Sequence, residues 1–325
     1  MRAEWPRRAA LAAAAGALAL PGLARAYPDR PIRLIIPFGG GGQTDIVSRL
    51  VAEALSQRLG QPVLSDNRPG GAGNLAAETT ARSAPDGYTV MVATMGTNSG
   101  LNSLLYRNVA YDWQTDLAPV GKFCSTANVW LVHRSIPGDD LNGVLGWIRA
   151  NPGRFTFASA GVGAITHLAM ELLGERLGLE MTHVPYRQTT QAMADMLAGR
   201  VHSRCLGLPE GEQVRHMPGI RPVAITTPRR RPGWVDVPAF AEAVPGYEAS
   251  SYFGLAVPAR TPPEVINRLS AALNDALGTE ALRAGFARVG ADIAEPNTPA
   301  QFAALARTEH EKWAPLIRRL NLVAE

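Results

Sequence analysis

Twice in this chain a short run of strand-forming residues stops at a cluster of small residues that opens directly into a helix-forming stretch. The first unit is Ile32 to Ile36, then Phe38-Gly39-Gly40-Gly41-Gly42, then a run with Ile46, Val47, Leu50, Val51, Leu55 and Leu59 at helical spacing, stopped by Gly60. The second is Phe155 to Ala158, then Ser159-Ala160-Gly161-Val162-Gly163, then a run with Leu168, Leu172, Leu173 and Leu177, stopped by Gly178. A looser third case is Thr94-Met95-Gly96-Thr97-Asn98, after a strand over Tyr88 to Ala93. Strands separated by helices are the mark of a parallel α/β sheet with crossover connections.

The alternation runs from Ile32 to Ala93 and restarts downstream. Val129 to Val132, Phe155 to Ala158, His183 to Pro185, Arg200 to Leu206 and Arg221 to Thr226 read as strands, with helices over Leu141 to Ala150 and Thr190 to Leu197 among them. Two α/β lobes are therefore expected. The C-terminal part differs: a strand over Phe253 to Pro258 precedes helices over Pro263 to Leu277, Glu280 to Val289 and Pro299 to Arg319. One strand with three helices does not readily close a third lobe, so this part is expected to return to the first. The expected division is a first lobe of residues 27–125 plus 252–325 and a second of 126–251. Chain crossings near 124–130 and 250–255 would form a hinge that lets the cleft close.

The N-terminus reads as an export signal. Arg7 and Arg8 precede an unbroken Ala/Leu/Gly run from Ala9 to Leu20, and Ala24-Arg25-Ala26 forms an A-x-A cleavage site. That run is too short for the ~20 residues of a spanning helix. The expected signal is residues 1–26, and the Arg pair permits Sec or twin-arginine export. Taking out Arg2, Arg7, Arg8, Arg25 and Glu4 lowers the formal charge from +4 to +1. A near-neutral chain gives no electrostatic footprint for nucleic acid. The hydrophobic fraction of 46% supports a full core.

The glycine units carry the functional signal. Glycine lets backbone approach a ligand, and the unpaired first-turn N–H groups of the next helix, at its positive dipole end, favour an anion. In open α/β sheets ligands lie at the carboxyl ends of strands. Two such loops facing each other would bind a short anionic molecule. Neither loop matches a P-loop or a dinucleotide fingerprint. Asp45 is placed to cap its helix. His167 is near the start of the second helix, and Tyr186 follows a strand and precedes a helix at the cleft rim. Cys124 and Cys205 lie in apolar stretches; an exported chain could join them, or each could be a small buried side chain. Paired C-x-x-C motifs, H-E-x-x-H and G-x-S-x-G are absent, so no metal, cofactor or catalytic residue is assigned.

These residues in order resemble a known family. Tyr27-Pro28-Asp29-Arg30-Pro31, Pro37-Phe38 with Gly41-Gly42 and Asp45, Asn67-Arg68 with Gly70-Gly71-Ala72-Gly73, Pro85-Asp86-Gly87-Tyr88, Ser159 with Gly161, Gly163 and His167, and His183-Val184-Pro185-Tyr186 are similar to the Bug, or TctC-like, solute receptors of tripartite tricarboxylate transporters. The resemblance runs from Tyr27 to about Leu320. It implies a two-lobed type II periplasmic binding fold, a small carboxylate ligand held between opposed glycine pincers, a monomeric receptor and delivery to membrane permease subunits. Carried over, the first pincer is Phe38, Gly41, Gly42, Thr44 and Asp45, with Thr94 and Thr97 beside it. The second is Ser159, Gly161, Gly163, Ile165 and His167, with Tyr186 at the rim. The sequence departs from the family pattern at Gly39-Gly40, Arg187-Gln188, Gln191-Ala192 and His202. These changes bear on ligand identity rather than on fold. Two other readings remain open: a ligand sensor that docks on a two-component kinase, and an exported enzyme with His167 or His202 as base and Asp45 as partner.

Overall fold

The structure, a computed structural model, describes residues 27–324. The expected signal segment lies outside the described residues. Strand β1 (Ile32–Ile36), helix α1 (Gln43–Leu59), β2 (Val63–Asn67), α2 (Asn74–Ala81) and β3 (Thr89–Thr94) open the first sheet. Short helices α3 (Met95–Asn98) and α4 (Leu101–Leu105) lead to β4 (Leu117–Thr126). The second sheet begins with β5 (Asn128–His133), α5 (Leu141–Ala150), β6 (Phe155–Ser159) and α6 (Ile165–Leu177). It continues through β7 (Met181–Pro185), α7 (Thr189–Leu197), β8 (Ser203–Gly207), α8 (Leu208–Val214) and β9 (Ile220–Ile225). Strand β10 (Ser251–Pro258) lies in the first sheet again, followed by α9 (Pro263–Leu277), α10 (Glu280–Arg288), β11 (Ala291–Ile293) and α11 (Pro299–Arg319). The strand orders are β11-β4-β10-β3-β1-β2 and β7-β6-β8-β5-β9.

The expected parallel pairing of the helix-separated strands holds, but each sheet is mixed. Strands β2-β1-β3 and β7-β6-β8 are parallel, but β10 is antiparallel to both its neighbours, and so is β5. The reason is connectivity. The parallel strands end at the cleft, whereas β5 and β10 enter from the other lobe. They therefore start at the cleft and run away from it. The sequence reading also passed over β4, whose alternation is broken by Pro119, Gly121 and Lys122. The strand accommodates them through two register shifts against β10, at Phe253/Gly254 and Leu255/Ala256.

The chain passes between the sheets at Ala127 and again over residues 226–250, and one buried side chain ties both passages. The Asn128 backbone N–H donates to Thr226 Oγ1 at 2.9 Å, and its side-chain amide donates to the Ala249 carbonyl at 2.8 Å. Thr226 N–H returns to the Asn128 carbonyl at 2.9 Å. Gln43, the first residue of α1, joins this knot: its Oε1 accepts from Thr126 Oγ1 at 2.7 Å, and its amide lies 3.3 Å from Ser251 Oγ.

Three apolar clusters hold the layers. One packs Leu34, Val47, Val51 and Leu55 against Val265 and Leu273 of α9. Another joins Val129, Leu131, Met196, Leu206 and Trp234 in the second lobe. The third runs across both, from Leu105, Phe302 and Trp313 to Ile165 and Leu173. Each fully buried side chain of this size contributes about 1.5–3 kcal/mol relative to exposure.

At Gly163 the lobes meet tightly. Its φ is +82°, and a Cβ there would collide with Leu105 Cδ1. Gly146, on the exposed side of α5, has open space around it. Gly163→Ala should therefore lower the unfolding free energy by about 1–2 kcal/mol or more through the left-handed backbone alone. Gly146→Ala should raise it by roughly 0.5–1 kcal/mol. Urea unfolding of the two variants beside the parent checks both signs.

Candidate functional site

Between the lobes lies a cavity of about 660 Å³, counting its mouth. That is within the range of small-molecule sites. Among the helices whose starts border it are three of eight residues or more. Gly42, Gln43 and Thr44 come from α1, Ala164, Ile165 and Thr166 from α6, and Thr189 from α7. Gly42 and Ala164 hold extended N-cap backbone and make no side-chain cap. The first-turn N–H groups of such helices lack intrahelical acceptors, and the dipoles add positive potential. Phe38, Met95 and Ile165 supply apolar wall, with Leu206 and Phe253 beyond. The site can thus hold an anionic end and bury an uncharged body.

Of the residues proposed from sequence, six line this cavity: Phe38, Gly42, Thr44, Thr94, Gly163 and Ile165. The others lie behind or beside it. Gly41 has φ +80°, and its N–H donates to Asp45 Oδ2 at 3.0 Å. Asp45 also accepts from Arg49 Nε at 3.0 Å and from the Asn67 amide at 3.0 Å. Burial pushes its carboxyl up, but Arg49, the Gly41 N–H and Asn67 outweigh burial and hold it below the ordinary range. Its carboxylate therefore braces the glycine loop. Thr97 is fully buried and closes a capping box with Thr94, accepting from the Thr94 N–H at 3.0 Å. Tyr186 turns its hydroxyl to Asp195 at 2.7 Å, and burial together with that carboxylate pushes the phenol up to about 12.

Behind the second glycine loop stand two histidines. Gly163 N–H donates to His167 Nδ1 at 3.1 Å, which puts the ring proton on Nε2, 3.2 Å from Glu171 Oε1. The His167 ring stacks on His183 at 3.8 Å between centroids, and His183 in turn stacks on Phe157 at 5.0 Å. His183 Nε2 lies 2.6 Å from Ser159 Oγ, and the same hydroxyl accepts from the Gly161 N–H at 3.1 Å. Burial, then the neighbouring His167 ring, pushes His183 down to about 3, so it is neutral. Ser159, Gly161 and His167 are thus the frame of the loop. His202 bonds the Thr156 backbone N–H through Nδ1 at 3.1 Å. Neither His167 nor His202 is among the described residues lining the cavity.

Sequence reasoning missed part of the wall. Thr166 and Thr189 sit at helix starts, a position the glycine-loop logic could have extended to. Gln43 stands at the start of α1 in the same way. The largest omission is Arg204 with Glu210, a buried pair on the wall whose guanidinium meets the carboxylate at 2.6 and 3.1 Å. A charged residue directly before Cys205-Leu206 in an expected strand, with an acid six positions on, was the available signal. Cys124 and Cys205 are both buried free thiols, in β4 and β8.

Comparison with known proteins gives the same picture. Residues 47–322 match the TctC family, described as the tripartite tricarboxylate transporter family receptor. The chain is 32% identical to Protein BugT of Bordetella pertussis over 308 residues, which is 94% of each chain. An R. palustris protein solved with adipate superposes with a TM-score of 0.86 at 33% identity, covering 90% of this chain and 97% of that one. MatC from Rhodopseudomonas palustris with bound malate superposes at 0.83 and 28% identity, covering 90% of this chain and 100% of that one.

The histidine frame makes an acid-stability prediction. His183 is neutral when folded down to about pH 3 but takes a proton near its ordinary 6.5 when unfolded. Stability therefore falls as pH drops from about 6.5 towards 3, because the unfolded chain binds the extra proton. In His183→Phe, which keeps a ring on Phe157, this slope should flatten in that window. Denaturant unfolding at a series of pH values measures it; an unchanged slope would show that His183 does not carry the effect.

Proposed function

Because the chain belongs to the tripartite tricarboxylate transporter receptor family, we propose that it is an exported solute-binding protein that closes its two lobes on a small carboxylate. The lobes would be residues 27–125 plus 252–325 and residues 126–251, swinging about the Asn128 knot. The observation that carries this reading is the convergence of the helix starts at Gly42–Thr44, Ala164–Thr166 and Thr189 on one cavity. Backbone N–H groups from both lobes would grip one carboxylate, so binding and closure are the same event. A ligand that touches both lobes shifts the open–closed balance by its extra contacts in the closed form.

The assigned contacts are Phe38, Gly42, Thr44, Thr94, Gly163 and Ile165 directly. Gly41, Asp45, Thr97, Ser159, Gly161 and His167 hold the loops in place, and Tyr186 stands at the rim. The related proteins solved with adipate and malate support the carboxylate reading. Arg7 to Ala26 supplies the export signal, and membrane permease subunits would take up the released solute. The protein would bind without transforming its ligand. Of the bases an enzyme reading calls on, His167 spends its ring nitrogens on Gly163 and Glu171, and His202 spends Nδ1 on Thr156.

Thermal denaturation with a panel of mono-, di- and tricarboxylates tests this. A ligand at 100 times its dissociation constant should stabilise the fold by ~2.7 kcal/mol. A flat response across the whole panel would refute carboxylate capture.

A further inference from the structure

We infer that the cavity selects a carboxylate with a single charge and an apolar body, and that the Arg204–Glu210 pair enforces this against dicarboxylates. The inference rests on the carboxylate reading above and deepens it to a ligand class.

Among the described residues that line the cavity, Arg204 and Glu210 are the two with formal charges. Both side chains are buried, at 3% and 9% exposure. The guanidinium and carboxylate meet through two parallel contacts, Nη1 to Oε1 at 2.6 Å and Nη2 to Oε2 at 3.1 Å. Such a fork neutralises the cation within the protein. The charges of these lining residues therefore sum to zero, and both Nη atoms of the guanidinium are committed to Glu210, while its buried Nε has no hydrogen-bond partner. The first carboxylate of a ligand would be met by the helix starts. A second one would be withdrawn from water with no free cation to receive it, and it would face the Glu210 carboxylate. Burying an unpaired charge, or placing like charges together, is costly enough to act as rejection. The rest of the wall favours an uncharged body: Phe38, Met95, Ile165, Leu206 and Phe253 are apolar, and Cys205 is kept a neutral thiol by burial, which pushes it up to about 12.

The test uses matched pairs that differ only in the far end: hexanoate against adipate, and benzoate against terephthalate. Titration calorimetry on the mature protein should give tighter binding of the monoacid in each pair by about 10-fold or more. In Glu210→Gln the guanidinium is released, and the ratio should move towards the diacid by about 10-fold or more. The double variant Arg204→Met with Glu210→Gln has no charge on the wall and should again favour the monoacid. It also serves if the single variant does not fold. Diacids binding as well as or better than monoacids to the parent protein would overturn the inference and leave the carboxylate reading intact. A Glu210→Gln ratio equal to the parent's would overturn the role of the pair. Binding by neither member of either pair would overturn the inference and count against the carboxylate reading with it.

Discussion

Much of this structure depends on one asparagine. Asn128 sits where the chain first enters the second sheet, and its side chain reaches the place where the chain leaves it. Through Thr226 and Ala249 it fastens the two connections to each other. Buried amides of this kind stay where all their groups are satisfied and are expensive to leave unpaired. Gln43 extends the same network to the first turn of α1, which is also a wall of the cavity. The connections and the first glycine loop thus share hydrogen bonds, beside the apolar cluster that runs across both lobes.

The second organising constraint is the neutrality of the cavity. In the proposed reading the grip on an anion would come from helix starts, whose first-turn N–H groups lack intrahelical acceptors. The side chains around them spend their polar groups on each other. Asp45 faces Arg49 and Asn67, the His167 ring faces Glu171, and Arg204 faces Glu210. Side chains that look like ligand contacts in the sequence thereby become the frame that holds backbone in position. This explains how a loop of glycines, which has little conformational preference of its own, can keep one shape.

How far the sequence revealed these features depended on whether the signal was local. Residues Pro299–Arg319 read as one helix and are one, because Thr298 and Gln301 form a capping box and the apolar positions recur at helical spacing. The glycine loops were legible for the same reason, and Phe38, Gly42, Thr44, Gly163 and Ile165 were carried onto them by the family resemblance. Strand β4 was not legible, because Pro119 and Gly121 hide its alternation and its place is fixed by β10 from across the chain. Arg204 was visible as a residue, but nothing local says that Glu210 folds onto it or that both face the ligand space.

The sequence by itself determined the alternation of strands and helices, the two glycine loops and the family to which the chain belongs. Each of these rests on neighbours within a few turns, where periodicity and glycine stereochemistry act directly. Only the tertiary structure decided that β5 and β10 run against their neighbours, that His167 braces Gly163, and that Arg204 meets Glu210 on the cavity wall. Those facts depend on residues brought together from distant parts of the chain, and their energies arise only once burial removes the water that would otherwise satisfy each group alone.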